Sequence, residues 1–192
     1  AAPFEMPLVP PSVPGMRLYA ALRAALIRAG GRVQVGEMIQ RVEHDGRRVT
    51  AVVSAAAART YTVRTGALVI ATGGIAGGGL VAELHGRLRE PLLGLPVDAP
   101  PADEWLSIDA FDPAGHPLER AGIRTDAELR PVAADGASPF DNVRVAGSQL
   151  AGQRSVRDRC GDGVALTSGW RAARSLIAVP TGHTAESGSE RP

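Results

Sequence analysis

The chain has 192 residues, 21 basic and 20 acidic side chains for a formal net charge of +1, and is 44% hydrophobic. At ~100–200 residues per domain that is one medium domain with enough chain to bury a core, and near-neutral charge excludes a nucleic-acid scaffold or a basic membrane-binding surface. All 21 basic residues are arginine, which rules out Schiff-base chemistry and a Walker-type phosphate loop, since both need lysine.

Cys160 is the only cysteine. It excludes an intrachain disulfide and a cysteine-ligated zinc or iron–sulfur site, so no metal site is expected and a reducing cytoplasmic setting is the default. No stretch reaches the ~20 apolar residues of a membrane span, and Ala1–Glu5 lacks the regions of a signal peptide. The opening Ala1-Ala2-Pro3-Phe4 without a methionine reads as a cut inside a longer protein.

In chain order, Pro7, Pro10, Pro11 and Pro14 predict an extended entry. Met16 to Ala29 predicts an amphipathic helix with Leu18, Leu22, Ala25 and Leu26 on one face, stopped by Gly30-Gly31. Val33 and Val35 alternate as a strand, Met38 to Glu43 leads to an Asp45-Gly46 hairpin turn, and Arg48 to Val53 and Thr60 to Val63 complete an antiparallel meander. Ala67 to Ala71 is apolar without alternation, the pattern of a strand buried on both faces of a parallel sheet. It runs into Thr72-Gly73-Gly74-Ile75-Ala76-Gly77-Gly78-Gly79, which suits a sharp bend or close approach to a ligand.

From Leu80 to Arg120 repeated prolines and glycines predict an irregular insertion with short helices. Gly122 to Asp126 and Leu129 to Val132 predict strands, with a turn at Ala134-Asp135-Gly136. Asn142 to Ala146 predicts a strand, Gly147-Ser148 a turn, Gln149 to Arg159 a loop, and Gly161-Asp162-Gly163 the start of a helix ending near Ala178. Residues 179–192 are expected to be a disordered tail.

Two glycine-rich turns after apolar strands carry the chemistry. A strand, glycines and then a helix aim free backbone N–H groups and the positive helix end at an anion, as in dinucleotide and flavin sites. Gly161-Asp162-Gly163-Val164-Ala165 meets that description, and such an end can face the pyrimidine edge of an isoalloxazine. Glycines before a helix also serve as caps or packing points, and spacing alone favours that plainer reading. Ala71-Thr72-Gly73-Gly74 is equally open. No G-x-G-x-x-G with an acid ~20 residues on follows an early strand, so a pyrophosphate-binding half would lie outside this sequence.

ALVIATGG at Ala67–Gly74, and the return Ala134-Asp135-Gly136, Asn142 to Gly147, then a glycine-led helix, resemble the fumarate-reductase-like branch of two-dinucleotide-binding flavoproteins. Within that group the chain is similar to the family of B subunits of anaerobic glycerol-3-phosphate dehydrogenases. PPSVPGMRLYAALRAAL at Pro10–Leu26, GGIAGGGLVAE at Gly73–Glu83, GRLREPLLGLPV at Gly86–Val97 and CGDGVALTSGWRAAR at Cys160–Arg174 carry that similarity.

The resemblance implies an α/β fold: a partial Rossmann-like FAD/NAD(P)-binding domain over residues 1–178, with the meander and the insertion at about 80–120. It covers the C-terminal half of such a subunit. It implies a flavin, FMN or FAD, in an oxidoreductase subunit that works alongside a catalytic FAD subunit and an iron–sulfur, membrane-anchoring subunit. Together these would oxidise glycerol 3-phosphate and pass electrons to menaquinone in anaerobic respiration. The chain itself would be cytoplasmic, touching the inner membrane only through its partners, and this stretch alone would be inactive. Carried over, Thr72, Gly73 and Gly74 lie near the adenylate or pyrophosphate, Gly147 and Ser148 near the ribityl–phosphate portion, and Gly161, Asp162, Gly163, Val164 and Ala165 near the flavin ring.

Ser148 stands where many relatives carry an acid for the ribityl hydroxyls, which makes that contact weaker or water-mediated. Asp162, in place of a small residue, is expected to act as an N-cap and compete with flavin. No catalytic acid or base is assigned: His44 and His183 read as solvated, and His85 and His116 lack a paired carboxylate. Arg87 and Arg89 read as solvated ahead of contacting an anionic substrate or partner. Trp105 and Trp170 read as packing anchors, and Cys160 as packed rather than activated. Two alternatives stay open, an independent FAD-dependent dehydrogenase or reductase and a scaffold that binds no flavin.

Overall fold

The computed structural model describes residues 12–56 and 59–177. The predicted extended entry at Pro7, Pro10 and Pro11 and the predicted tail at 179–192 lie outside these residues. The chain divides into two compact units, residues 1–38 and 39–192.

In the first unit, helix α1 spans Val13–Arg28, three residues earlier than its alanine-rich run announces. Ser12 is the N-cap, its hydroxyl accepting from the Gly15 amide at 3.3 Å. Pro14, expected in an extended entry, sits in the first turn, where no amide hydrogen is needed. Gly30 ends the helix at φ +84°, a conformation that favours glycine. None of the helix's residues is buried, and Val33 and Val35 are not in a strand.

The second unit begins with the meander. Strands β1 (Met38–Asp45), β2 (Arg48–Ala56) and β3 (Arg59–Arg64) form one sheet in that order. Gly46, at φ +52°, makes the tight turn between the first two. β2 is the inner strand, and Val49, Ala51 and Val53 alternate into the core.

Strand β4 (Leu68–Ile70) pairs with a later strand, Val143–Val145, in parallel, with Leu68 opposite Val143 and Ile70 opposite Val145. The parallel pairing follows the apolar run, but burial on both faces does not, because Val69 remains 36% exposed. With two strands rather than a full parallel sheet, the mixed helix and sheet content makes this an α/β fold.

The stretch from Leu80 is irregular as expected, with two-residue ladders that the sequence does not announce. β5 (Val81–Ala82) pairs with β6 (Leu88–Arg89), and β7 (Val97–Asp98) with β8 (Gly122–Ile123), both antiparallel. Short 3-10 turns occupy Ala102–Glu104 and Pro117–Arg120. The strands expected at 122–126 and 129–132 shrink to β8 and a single bridge between Thr125 and Pro131, because the Asp126 turn takes up the chain between them.

Glu90 organises this region from inside. It is completely buried, and its carboxylate accepts from the amides of Leu92, Leu93 and Leu95 at 2.9, 2.7 and 3.4 Å. Glu90→Ala would leave these donors unpaired, at ~1–3 kcal/mol for each one left without water. The expected result is a lower midpoint in chemical denaturation, with Glu90→Gln, which keeps one carbonyl oxygen, losing less.

Strand β9 (Val143–Val145) is fully buried and leads through a 3-10 turn at Gly147–Gln149 and a loop to helix α2 (Gly161–Ile177). Val49, Ile70, Leu80, Leu95, Ile123, Phe140, Val143 and Val145 form the core of this unit. α2 lies on β9 and β4 through its small residues Ser168 and Ala172, which are buried one helical turn apart. Arg144, buried on β9, is satisfied there: Nε donates to Ser175 Oγ at 2.8 Å, and Nη1 to the carbonyls of Val143 and Asp141 at 2.9 and 3.1 Å. Burial pushes its guanidinium pKa below the usual value.

Candidate functional site

Because β4 and β9 run parallel, both deliver their carboxyl ends to the same edge, and each end opens into a glycine turn. Crevices beyond the carboxyl ends of parallel strands are where open α/β sheets hold ligands. The Gly74 amide donates to Ser148 Oγ at 2.9 Å, which ties Thr72-Gly73-Gly74 to Gly147-Ser148. A Cβ on Gly74 would stand 2.8 Å from the Ser148 carbonyl oxygen, so the approach requires glycine.

The first turn spends most of its donors on itself. Gly77 and Gly79 donate to the Gly74 carbonyl at 3.2 and 3.1 Å, and Gly78 to that of Ile75 at 3.2 Å. A Cβ on Gly79 would lie 1.9 Å from the Gly73 oxygen and one on Gly77 3.1 Å from the Gly73 Cα. Gly73, Gly77 and Gly79 therefore fold the loop tightly onto itself. Gln149, completely buried, donates through Nε2 to the Gly79 carbonyl at 3.0 Å and locks this loop to the second turn.

The second turn is tied to α2 by a residue that the sequence reading missed. Ser168 Oγ accepts from the Gly147 amide at 2.9 Å and donates to the Val164 carbonyl at 2.5 Å. Its only sequence signal is its place in the line of small residues facing the sheet. Gln153 Nε2 holds the turn from outside, donating to the carbonyls of Gly147 and Leu150 at 3.0 Å each. The Oε1 atoms of Gln149 and Gln153 are buried without a partner among the described residues.

Gly161, Asp162 and Gly163 form the first turn of α2, where amides have no acceptor within the helix. The first helical bond runs from the Val164 amide to the Cys160 carbonyl at 2.8 Å. Asp162 is thus inside the helix and is not its N-cap, and its side chain makes no hydrogen bond to another described residue. Apart from its chain neighbours and its own helix backbone, no atom lies within 4 Å of where a Cβ on Gly163 would stand. Gly163 and Val164, with Leu129, Cys160, Thr167, Ser168 and Arg171, line an apolar depression of about 450 Å³. Ala165 is exposed on the same turn.

Leu129 reaches this depression from a turn built on Asp126. The Asp126 carboxylate accepts from the amides of Glu128 and Arg130 at 3.0 and 2.9 Å and from Arg130 Nε at 2.6 Å. Desolvation raises its pKa, but the bonds from Arg130 and Glu128 together outweigh it and hold it below the ordinary carboxylate value. A depressed folded pKa contributes stability that is fully present above the unfolded pKa and is lost as pH falls through the folded one. Asp126→Asn is therefore expected to lower the neutral plateau of a stability-against-pH curve and to flatten its acid limb, as read from chemical denaturation at a series of pH values.

The remaining candidates have local partners. His44 packs edge-on against Phe140 with ring centroids 5.3 Å apart. His116 accepts from the Ser107 amide through Nδ1 at 3.0 Å, which leaves its proton on Nε2, 3.2 Å from the Ala110 carbonyl. Arg89 pairs with Glu83 at 3.0 Å. Trp105 is half-buried and donates to the Pro100 carbonyl at 3.0 Å. Trp170 is no packing anchor here: it is 62% exposed, with Arg174 4.9 Å from its ring centre. Among the described residues no cluster of His, Cys, Asp and Glu could hold a metal ion, and no helix is long and apolar enough to cross a membrane.

The chain is 34% identical over 178 residues to the B subunit of anaerobic glycerol-3-phosphate dehydrogenase from Yersinia enterocolitica, covering 91% of this chain and 40% of that protein. It is 34% identical over 182 residues to the probable B subunit of the anaerobic glycerol-3-phosphate dehydrogenase from Halobacterium salinarum, covering 90% and 40%. For the corresponding B subunit from Vibrio cholerae the identity is 30% over 176 residues, covering 91% and 39%. The chain thus spans about 40% of the length of the curated relatives it matches. The model of the FAD binding domain matches residues 1–164, which include both glycine turns and the first turn of α2. The expected flavin is thereby supported as FAD, and the chain belongs to the FAD binding domain family.

Proposed function

We propose that the chain is part of the flavin-binding subunit of a quinone-linked anaerobic glycerol-3-phosphate dehydrogenase, within a partly represented Rossmann-like domain. The observation that carries this reading is the convergence of two glycine turns and the amino end of α2 at the carboxyl ends of parallel β4 and β9. The similarity to proteins named as the B subunit of that dehydrogenase supplies the substrate and the expectation of partner subunits.

The residues present fit a flavin. The free amides of Gly161 to Gly163 and the positive helix end favour negative charge, and the bare backbone at Gly163 leaves room for a flat ring to approach. The Oε1 atoms of Gln149 and Gln153, both just after Ser148 in the chain, are buried without a partner among the described residues and are acceptors of the kind that hydroxyl donors such as those of a ribityl chain would satisfy. Ser148 Oγ already accepts from Gly74, so its part is to set the spacing of the two turns. Thr72 and Gly73 would border the nucleotide end.

When bound, the flavin supplies a reversible store for the electrons of glycerol 3-phosphate oxidation, to be passed towards menaquinone. The chain's contribution is to position it and to stabilise negative charge at the α2 end through fixed dipoles. The iron–sulfur chemistry is assigned to a partner, since Cys160 alone cannot ligate a cluster. Membrane attachment is assigned to that partner as well, leaving this chain on the cytoplasmic side.

The test is anaerobic addition of glycerol 3-phosphate to the full-length protein co-produced with its partner subunits. Bleaching of bound flavin, reversed by a menaquinone analogue, supports the reading. Protein that carries no flavin, or flavin that glycerol 3-phosphate leaves oxidised, overturns it.

A further inference from the structure

Among the described residues thirteen have positive φ, and eleven of them are glycines. The two exceptions are Leu129 at φ +63° and Arg159 at φ +48°, and both lie at one place. Leu129 lines the apolar depression beside α2, and Arg159 immediately precedes Cys160, which lines it as well. Left-handed backbone under a bulky side chain is strained, and residues held in this way cluster at ligand sites.

The hairpin that carries Leu129 does not itself call for leucine. The Leu129 amide donates to the Asp126 carbonyl and the Asp126 amide to the Arg130 carbonyl, each at 3.0 Å, so Ala127, Glu128 and Leu129 form a three-residue loop. Such loops end on a left-handed residue, for which glycine is the ordinary choice. The loop is fastened to α2 by Arg171 Nε, which donates to the Ala127 carbonyl at 2.6 Å, and by Ser175 Oγ, 3.0 Å from the Glu128 carbonyl. It is fastened to β9 by the Val145 amide, which donates to the Leu129 carbonyl at 3.0 Å. All of these bonds use loop backbone that glycine at position 129 would supply equally. What glycine would not supply is an apolar wall to the depression of about 450 Å³ that Gly163 and Val164 also line.

We infer that Leu129 is a flavin-contacting residue, whose side chain packs against the apolar body of the isoalloxazine and keeps water from that side of the ring. The strained backbone is retained because glycine, which would relieve it, leaves the wall missing. The inference rests on the proposed placement of flavin at Gly163 and goes beyond it, assigning a ring contact to a hairpin outside both glycine turns. The size and apolar lining of the depression fit a flat heteroaromatic ring.

The test compares Leu129→Gly, Leu129→Asn and Leu129→Met in the full-length protein. Glycine and asparagine both accept left-handed backbone, so relief of strain should offset the lost contacts with α2. After removal of flavin, the melting temperatures of these two variants should stay within ~2 °C of the parent's or rise. Flavin titration should show at least about tenfold weaker binding to both, ~1.4 kcal/mol. In Leu129→Asn the long-wavelength absorption band of the flavin that still binds should shift, because an amide replaces the apolar wall. Leu129→Met, which keeps apolar bulk, should bind flavin nearly as the parent does.

Undiminished flavin affinity in the glycine and asparagine variants overturns the inference. A larger fall in their flavin-free melting temperature also overturns it, since Leu129 would then be a packing group of α2. So does a methionine variant that loses as much affinity as the glycine one. If the parent holds flavin and Gly163→Leu weakens it while the Leu129 variants do not, this inference falls by itself. If the parent holds no flavin, the functional reading falls with it.

Discussion

Replacing Asn142 by leucine is expected to destabilise the fold by about 3–5 kcal/mol, because three buried hydrogen bonds vanish together. Asn142 is 4% exposed. Its Oδ1 accepts from the Val49 amide at 2.9 Å, and its Nδ2 donates to the carbonyls of Val49 and Gly66 at 2.8 and 2.9 Å. Towards Val49 the side-chain amide thus stands in for the backbone of a neighbouring strand. It joins the start of β2 to the entry of β4 and to β9, and therefore couples the meander to the parallel pair.

Leucine keeps the branching of asparagine, adds the bulk of two methyl groups and satisfies none of these groups. Aspartate keeps the acceptor, loses both donors and brings an unpaired charge, so Asn142→Asp should cost at least as much. Urea unfolding monitored by far-ultraviolet circular dichroism checks both. A loss under about 1 kcal/mol for either variant would show that water reaches the freed groups.

The second large effect is expected at Gly79. A Cβ there meets the Gly73 carbonyl oxygen at 1.9 Å and Thr72 Oγ1 at 2.7 Å, so even Gly79→Ala forces the loop apart. Overpacking costs ~1–3 kcal/mol, and displacing the Gly79 carbonyl also leaves the buried Gln149 amide without its acceptor, a further ~1–3 kcal/mol. The combined expectation is about 3 kcal/mol or more. Flavin retention should be lost together with stability, because Gly74 and Ser148 are set in place by the same loop. Gly78, whose Cβ would meet no atom within 4 Å but whose φ is +78°, separates the two causes. Gly78→Ala strains the backbone by ~1 kcal/mol without a clash and should retain flavin better.

The sequence made some of this legible and hid the rest for physical reasons. Five glycines between Gly73 and Gly79 signal tight backbone wherever they occur, and Asp45-Gly46 signals a hairpin, because both are local constraints on φ. The apolar run from Ala67 to Ala71 signals a strand of a parallel sheet, but its pairing with β9, whose Val143-Arg144-Val145 alternates, carries no local mark. Asn142 and Glu90 carry no such mark. Asn142 reads as the first residue of a strand, and its partner Val49 is 93 positions away. Glu90 reads as a charge before a proline, whereas it is the buried acceptor around which residues 92–95 turn.

In the candidate site the glycines were visible, but their division of labour was not. Gly73, Gly77 and Gly79 pack against their own loop, Gly74 packs against Ser148, and Gly163 alone opens onto the depression beside α2. Helical geometry also reverses the reading of Asp162. Gly161 is already helical, and it is the Cys160 carbonyl that takes the first helical bond, so the carboxylate is outside the capping position.

The central claim is that flavin approaches the amino end of α2 at Gly163, and Gly163→Leu tests it most directly. The site is open to a Cβ and helical, so leucine should preserve or raise the melting temperature through its better helix propensity, ~0.5–1 kcal/mol. The same side chain fills the space a ring would occupy. Flavin titration of the full-length protein is predicted to show at least about tenfold weaker binding, ~1.4 kcal/mol, with the fold intact. Undiminished flavin affinity in a stably folded Gly163→Leu protein would contradict the claim.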